Sequence, residues 1–478
     1  MLFNSFDFAV FLAVCFVIYW FVLNKHLKIQ NFFILVASYV FYGWWDWKFL
    51  GLILFSTLVD FSVGKFLLKE EKKSRRKILL TVSLVSNIGL LFFFKYYNFF
   101  IESFTEAFTF FGNEIQPNTL NIILPVGISF YTFQTLSYTI DIYRKKLTPN
   151  NDFISFAAFV SFFPQLVAGP IERASHLLPQ FYKKRTFKYQ NAAQGMRQIL
   201  WGLFKKIVIA DNAAEVVDFI FNNSEIFGGS TLFLGGVLFA FQIYCDFSGY
   251  SDIAIGTSRL FGFHLKKNFA FPYFSRDMAE FWRRWHISLS TWFRDYLYIP
   301  LGGSRVSKSK RIRNTFIIFL VSGLWHGSNW TFVAWGALNA LYFLPLLLSK
   351  KNRANLDNVA QERFFPSIKE FLQMITTFVL AVLAWIFFRA ENIHHALNIL
   401  SEICSFSLFS IPEVKPLVLL SLILVMVGIE WLYRREDFAF SNFQLKSMKV
   451  FRWATYLLIL FAIHWFGGQK QEFIYFQF

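Results

Sequence analysis

Apolar runs, several of them close to the length that crosses a lipid bilayer, recur along the whole 478-residue chain. A membrane-spanning helix needs about 20 mostly apolar residues, and its backbone polar groups must find hydrogen-bond partners within the protein. The runs include residues 8–22, 49–68, 78–97, 371–388 and 417–432. They predict an all-α polytopic membrane protein with about eleven spans.

Composition and charge agree with a membrane protein. Hydrophobic residues make up 55% of the chain and charged residues only 16%, whereas a soluble protein has about 25% charged residues. A net charge of +17 is also typical of nucleic-acid-binding proteins, but here the basic residues form short clusters such as 69–77 and 144–146 between apolar runs. Such clusters face the cytoplasm. We therefore expect no nucleic-acid partner, an extracytoplasmic N-terminus and a retained first helix instead of a signal peptide.

The middle of the chain is less regular than its two ends. Prolines, glycines and charged residues interrupt the apolar pattern between about residues 120 and 330, and such interruptions are tolerated only inside protein or beside water. We expect one membrane domain with N-terminal spans in 1–119, a core of short, tilted or re-entrant helices in 120–330, and C-terminal spans in 331–478. The polar linker 349–366 is predicted to be a long solvent loop.

The stretch from Phe281 to Gly303 reads as one amphipathic helix. Its apolar face consists of Trp282, Trp285, Leu289, Trp292 and Tyr296, and its polar face consists of Arg283, His286, Ser290 and Arg294. Polar residues are costly in an apolar chain, so this face either lines a wet functional cavity or lies in the headgroup layer.

A second histidine, His326, ends an apolar run and is flanked by Trp325 and by two glycines, Gly323 and Gly327. Glycines allow backbone or ligand to approach closely, although a histidine that only caps a helix remains the alternative. The arginines near His286 should keep its imidazole neutral near pH 7. A neutral imidazole can accept a proton, so both histidines are candidate catalytic residues.

Other polar residues have two open interpretations. Asp246 and Asp252 lie in an apolar region, where they would orient a catalytic imidazole, brace Arg283 or Arg284, or form a structural ion pair. The arginines and the basic loop 305–313 would hold a phosphate-bearing substrate, or would simply mark the cytoplasmic side.

Two common kinds of site are poorly supported. Neither histidine has a cysteine or carboxylate at zinc-ligand spacing, and the chain has no Gly-x-Ser-x-Gly elbow. We therefore expect no metal and no serine hydrolase.

Four motifs resemble those of the membrane-bound O-acyltransferase family, and the terminal run 473–478 resembles it too. The motifs are FWRRWH at 281–286 continuing to Gly303, GLWHG at 323–327, YCDFSGYSD at 244–252 and FPQLVAGP at 163–170. The resemblance covers nearly the whole chain. It is strongest to the bacterial branch with the alginate and peptidoglycan O-acetylases, and more distant to the teichoic acid D-alanyl transferases.

This resemblance implies a function and roles for the histidines. His326 would be the general base, and His286 a second active-site residue, with Arg283, Arg294, Ser290, Asp246, Asp252 and Trp325 binding donor or supporting the site. The implied protein lies in the bacterial cytoplasmic membrane and encloses a tunnel. It has no permanently bound cofactor and uses a thioester donor, acetyl-CoA or an acyl carrier protein thioester. An extracytoplasmic SGNH-hydrolase-like acetyltransferase would finish transfer to a polysaccharide. The alternative is a flippase of lipid-linked saccharides, although transporters often contain repeats and none is seen here.

Overall fold

The structure is a computed structural model that describes residues 1–110, 119–149, 151–167, 169–443, 448–468 and 471–476. Within these ranges every regular element is a helix and none is a strand. The predicted all-α fold is therefore confirmed, since a chain of apolar runs satisfies its backbone groups inside each helix.

The α-helices are labelled in chain order. The first are α1 (Phe6–Val17), α2 (Leu27–Asp46), α3 (Leu50–Lys69), α4 (Lys73–Phe110), α5 (Ile128–Tyr143), α6 (Phe153–Val160), α7 (Phe163–Leu166), α8 (Ala174–Leu177), α9 (Tyr189–Leu203) and α10 (Asp211–Asn222). The others are α11 (Gly229–Leu260), α12 (Met278–Arg284), α13 (Ile287–Phe293), α14 (Lys308–His326), α15 (Trp330–Leu348), α16 (Ile368–Arg389), α17 (Ile393–Ile403), α18 (Leu417–Leu432) and α19 (Lys449–Trp465).

Tighter and wider helical turns occur between and at the ends of these helices. The 3₁₀ segments are Trp47–Phe49, Leu178–Tyr182, Ser224–Ile226, Pro272–Phe274, Phe406–Phe409 and Ile474–Phe476. The π-helical segments are Ile18–Val22, Phe204–Ala210 and Arg294–Tyr298. A π-turn often marks a functional position in a helix.

Five helical stretches among the described residues are long and apolar enough to cross a membrane. They are Leu27–Lys69, Lys73–Thr109, Gly229–Leu260, Trp330–Leu348 and Ile368–Arg389, and shorter apolar helices are Phe6–Val22, Phe153–Leu166 and Leu417–Leu432. This pattern is that of a multi-pass membrane protein. The total of about eleven spans stays a prediction.

The prediction of short helices between residues 120 and 330 is right in one place and wrong in another. Helices α6, α7 and α8 are indeed four to eight residues long. In contrast, α11 is a single helix of 32 residues that runs through the whole 244–252 motif. Its polar residues do not break it, because Asp246 and Asp252 pair with lysines.

One compact unit comprises Met1–Gly195 with Ala254–Lys266. In it α3 packs against α4 and α5, and α2 packs against α6 and α7. The carboxylate of Asp60, buried between these helices, accepts hydrogen bonds from the Asn87 amide (2.8 Å), the Thr139 hydroxyl (2.7 Å) and the Ser83 hydroxyl. A carboxylate is costly in an apolar bundle unless such donors surround it, so this cluster ties α3, α4 and α5 together.

The other unit comprises Met196–Ile253 with Lys267–Phe478. Here α14 packs against α15, and α15 packs against α12 and α16. The contact between α14 and α15 requires glycine, because a Cβ atom on Gly323 would lie 2.2 Å from the Phe332 carbonyl oxygen and one on Gly336 would lie 2.4 Å from that of Phe319. Small residues of this kind allow membrane helices to approach closely. This close contact fixes the end of α14, where His326 lies.

The linker between α15 and α16 is the long loop that its polar sequence predicted, and most of its residues are exposed, but two of them are buried. Val359 and Ala360 are each only 1% exposed. The buried guanidinium of Arg434 donates to four of the linker's carbonyl oxygens, those of Val359, Ala360, Arg363 and Phe364, at 2.7–3.3 Å. The polar sequence predicts the loop, but hydropathy does not show which arginine will bind its backbone.

Candidate active site

The chain around His286 is broken and does not form the single amphipathic helix that was predicted from Phe281 to Gly303. Helix α12 ends at Arg284, Trp285 is extended, and α13 begins at Ile287. Between them His286 has a left-handed backbone with φ of 43° and ψ of 54°. Such a conformation is strained for a residue with a side chain, and strain of this kind clusters at functional sites. The break places the His286 ring in the interior.

His286 and His326 lie close together in the same unit, both almost completely buried. Their ring centroids are 6.4 Å apart, and the Trp325 ring lies 5.8 Å from that of His286 and 4.9 Å from that of His326. Further rings around the pair belong to Phe247, Trp335, Phe388 and Tyr475. An aromatic enclosure excludes water and strengthens polar interactions within it. The sequence-predicted histidines therefore form one site.

The His286 imidazole has one engaged and one open nitrogen. Its Nδ1 lies 3.1 Å from Oδ1 of Asn268, while its Nε2 is buried and has no hydrogen-bond partner among the described residues. Burial, and not the neighbouring arginines that the sequence suggested, lowers the pKa of His286 to about 3. The ring is therefore neutral at physiological pH.

His326 ends α14, immediately before the tight contact made by Gly327. A Cβ atom on Gly327 would lie 2.0 Å from a ring carbon of Phe332. The His326 ring packs between aromatic neighbours, with centroid distances of 5.1 Å to Trp335 and 5.4 Å to Phe388. The glycines of the GLWHG motif thus position the histidine by letting α15 pack closely against it.

The C-terminal segment forms one wall of the histidine site. The Tyr475 ring lies 5.5 Å from that of His326 and 4.7 Å from that of Phe247, and the Tyr475 hydroxyl is buried without a hydrogen-bond partner among the described residues. Burial raises the pKa of Tyr475 well above its ordinary value, so the hydroxyl stays protonated. The sequence showed only that residues 473–478 resemble a family motif, not that they reach a histidine far earlier in the chain.

Asp246 and Asp252 contact lysines and not the imidazoles of His286 and His326. Asp246 pairs with Lys206 at 2.7 Å and accepts a hydrogen bond from the backbone N–H of Ile474, also at 2.7 Å. Asp252 pairs with Lys205 at 2.6 Å. The predicted roles of orienting a histidine or bracing Arg283 or Arg284 are thus replaced by the alternative of an ion pair. The pair of Lys206 and Asp246 nevertheless supports the site, because it anchors the segment that carries Tyr475.

The remaining predicted polar residues bind backbone carbonyl oxygens or form an ion pair at the surface. Arg283 donates to the carbonyl oxygens of Asn352 and Asn355, at 2.8 and 2.6 Å. Ser290 donates to the carbonyl oxygen of Trp285, and Arg294 pairs at the surface with its neighbour Asp295. They do not form a continuous polar face with His286, which the predicted single helix from Phe281 to Gly303 would have had.

Comparison with known proteins agrees with this geometry. Residues 148–370 match the model of the membrane-bound O-acyltransferase family. A probable alginate O-acetylase of Pseudomonas aeruginosa is 39% identical over 423 residues, covering 85% of this chain and 78% of that protein.

Two other relatives have related names. A peptidoglycan O-acetyltransferase of Helicobacter pylori is 37% identical over 431 residues, covering 84% of this chain and 79% of that protein. A teichoic acid D-alanyltransferase of Streptococcus thermophilus is 28% identical over 278 residues, covering 54% and 66%. The range 148–370 that matches the family model contains the four motifs and both histidines. The chain belongs to the membrane-bound O-acyltransferase family and is an O-acyltransferase.

Proposed function

We propose that the protein transfers an acyl group, most simply acetyl, from a cytoplasmic thioester across the membrane for O-acetylation of an extracytoplasmic polysaccharide. The observation that carries this proposal is the pair of buried histidines 6.4 Å apart, one of which has an Nε2 atom without a hydrogen-bond partner in the described part of the chain. The names of the relatives favour an alginate-like polymer or peptidoglycan as the acceptor. The donor is acetyl-CoA or an acyl carrier protein thioester, and an extracytoplasmic SGNH-hydrolase-like acetyltransferase completes transfer to the polymer.

The residues divide the chemistry between them. His326 removes the proton of the acceptor hydroxyl as its oxygen attacks the thioester carbonyl, and then returns the proton to the departing thiolate. His286 accepts a hydrogen bond at Nε2 and so positions donor or acceptor. The thioester is already an activated acyl group, so a general base is the main requirement.

The test is acyl transfer by the purified protein in detergent or vesicles. Acetyl-CoA and the acetyl thioester of an acyl carrier protein, each labelled in the acetyl group, are supplied with an acceptor saccharide and the purified extracytoplasmic partner. We expect label on the saccharide from one of the two donors. Vesicles that move a lipid-linked saccharide across the membrane, with no acyl transfer from either donor, would instead establish a flippase.

A further inference from the structure

The side chain of Asn268 joins the segment that contains His286 to α11. Both Asn268 and His286 are only 1% exposed. The Asn268 Oδ1 atom lies 3.1 Å from His286 Nδ1 and 2.8 Å from the Ser288 hydroxyl. Its Nδ2 donates to the Ser251 hydroxyl at 3.1 Å, and its backbone carbonyl oxygen accepts from the Ile287 N–H at 2.9 Å. Asn268 therefore holds the strained turn at His286 through side chain and backbone.

The orientation of the Asn268 side-chain amide follows from a neighbouring backbone N–H group, which can donate a hydrogen bond but cannot accept one. The backbone N–H of Ser288 lies 3.3 Å from Oδ1 of Asn268, and a backbone N–H can only donate. If the amide were turned around, its NH₂ group would face this N–H, and two donors would oppose each other. The atom that faces His286 is accordingly the carbonyl oxygen.

This orientation decides which nitrogen of His286 carries the proton. A carbonyl oxygen only accepts hydrogen bonds, so Nδ1 of the neutral ring must be the protonated nitrogen. Nε2 then carries a lone pair, and it is this nitrogen that has no partner among the described residues. The tautomer of a histidine is commonly set by the hydrogen bond of its other nitrogen.

We propose that Asn268 is a positioning residue for acyl transfer, which holds His286 in its Nδ1–H form and presents the Nε2 lone pair to the substrate. The inference rests on the proposed function and adds to it a residue that touches no substrate. Without Asn268 the ring would exchange between two tautomers, and relaxation of the strained backbone at residue 286 would turn the ring away.

The first test is Asn268→Ala, which removes the oxygen that accepts from Nδ1. We expect kcat to fall about 10- to 100-fold, as for other residues that orient a functional histidine, while the donor KM stays within about twofold. Because Asn268 acts through His286, the same substitution made in a His286→Ala background should cause little further loss. An equal loss in both backgrounds would show that Asn268 only stabilises the fold, and wild-type kcat in Asn268→Ala would also overturn the proposal.

The second test is Asn268→Asp, which keeps an acceptor for Nδ1 but adds a negative charge. The carboxylate favours the imidazolium and raises the pKa of His286, so protonation at Nε2 should remove activity as the pH falls from 8 to 6. Activity of Asn268→Asp should therefore be nearest that of the wild type at pH 8. A pH profile parallel to that of the wild type would contradict the assignment.

A matched control is Asn314→Ala, which removes another buried asparagine from the same unit. Asn314 donates to the Leu301 carbonyl oxygen and accepts from Arg313, and it takes no part in the histidine site. We expect kcat per folded molecule to be unchanged in this variant. Transfer by the wild-type protein in the same assay tests the proposed function by itself. No transfer by the wild type would contradict the proposed function, whereas an active wild type with an equally active Asn268→Ala would contradict only the role of Asn268.

Discussion

His286 and His326 differ in how the protein holds their rings. His286 is fixed by a hydrogen bond from Nδ1 to Asn268, whereas His326 is fixed by α15 and by aromatic neighbours. The sequence identified both residues because histidines beside glycines and arginines stand out in an apolar chain. It misjudged what keeps His286 neutral, because the direction of an arginine side chain is set by carbonyl groups far along the chain. Asn268 itself had no recognisable signal in the sequence.

Tyr475 provides a prediction at the same scale. Tyr475→Phe keeps the ring that packs beside His326 and removes its buried hydroxyl. We expect turnover to fall about 100-fold, the scale on which a polar group at the reacting atoms contributes, with little change in the amount of folded protein. Steady-state transfer assays measure this effect.

Tyr342→Phe is the control for Tyr475→Phe, because it removes a hydroxyl from α15 away from the histidines. Full activity in Tyr475→Phe would mean that the C-terminal segment only closes the site.

At the scale of elements, two arginines hold the backbone of one loop. Arg283 and Arg434 both donate to carbonyl oxygens of the linker between α15 and α16. Helix spacing alone placed Arg283 on one face with His286, and the break after Arg284 invalidates that spacing. The helical content could be predicted from the apolar runs. The break could not, because it depends on hydrogen bonds that the backbone N–H groups of Ile287 and Ser288 donate to Asn268.

Arg434 tests this interpretation of the linker. Arg434→Ala removes four hydrogen bonds to linker carbonyls, and a hydrogen bond that involves a charged group contributes about 1.5–3 kcal/mol net of the bonds exchanged with water. We expect trypsin to cut the variant within residues 349–366 at least ten times faster than the wild type, as measured by mass spectrometry of the fragments. Arg305→Ala, at an exposed position in another loop, should leave cleavage of the linker unchanged. Equal cleavage in all three proteins would show that Arg434 does not hold the linker.

At the scale of the whole molecule, the membrane topology can be tested with the protein's own cysteines. The positive-inside rule places the loops at 69–77 and 305–313 in the cytoplasm. The sequence predicts that α14 crosses the membrane as α15 and α16 do, although it is not among the five described stretches long and apolar enough to cross. With these three crossings, Cys404 is expected on the extracytoplasmic side. Cys404 is exposed, whereas Cys15 and Cys245 are buried. We expect a membrane-impermeant thiol reagent to label Cys404 in intact cells.

The loops are tested in a Cys404→Ser background with single substitutions Lys72→Cys or Lys308→Cys. Both variants should be labelled only after the cells are opened. The opposite orientation would be shown if Lys72→Cys were labelled in intact cells while Cys404 of the unsubstituted protein was not.

The measurement that bears most directly on the proposed function is the rate of acyl transfer by His326→Ala, divided by the amount of this variant in the membrane. Removing a general base costs about 3–5 kcal/mol of transition-state stabilisation, so we expect a loss of at least 100-fold in kcat for a folded variant. His326→Gln should be nearly as inactive, because it offers a hydrogen bond but no suitable base. A well-folded His326→Ala protein that transfers acyl groups at nearly the wild-type rate would contradict the assignment of His326 as the base.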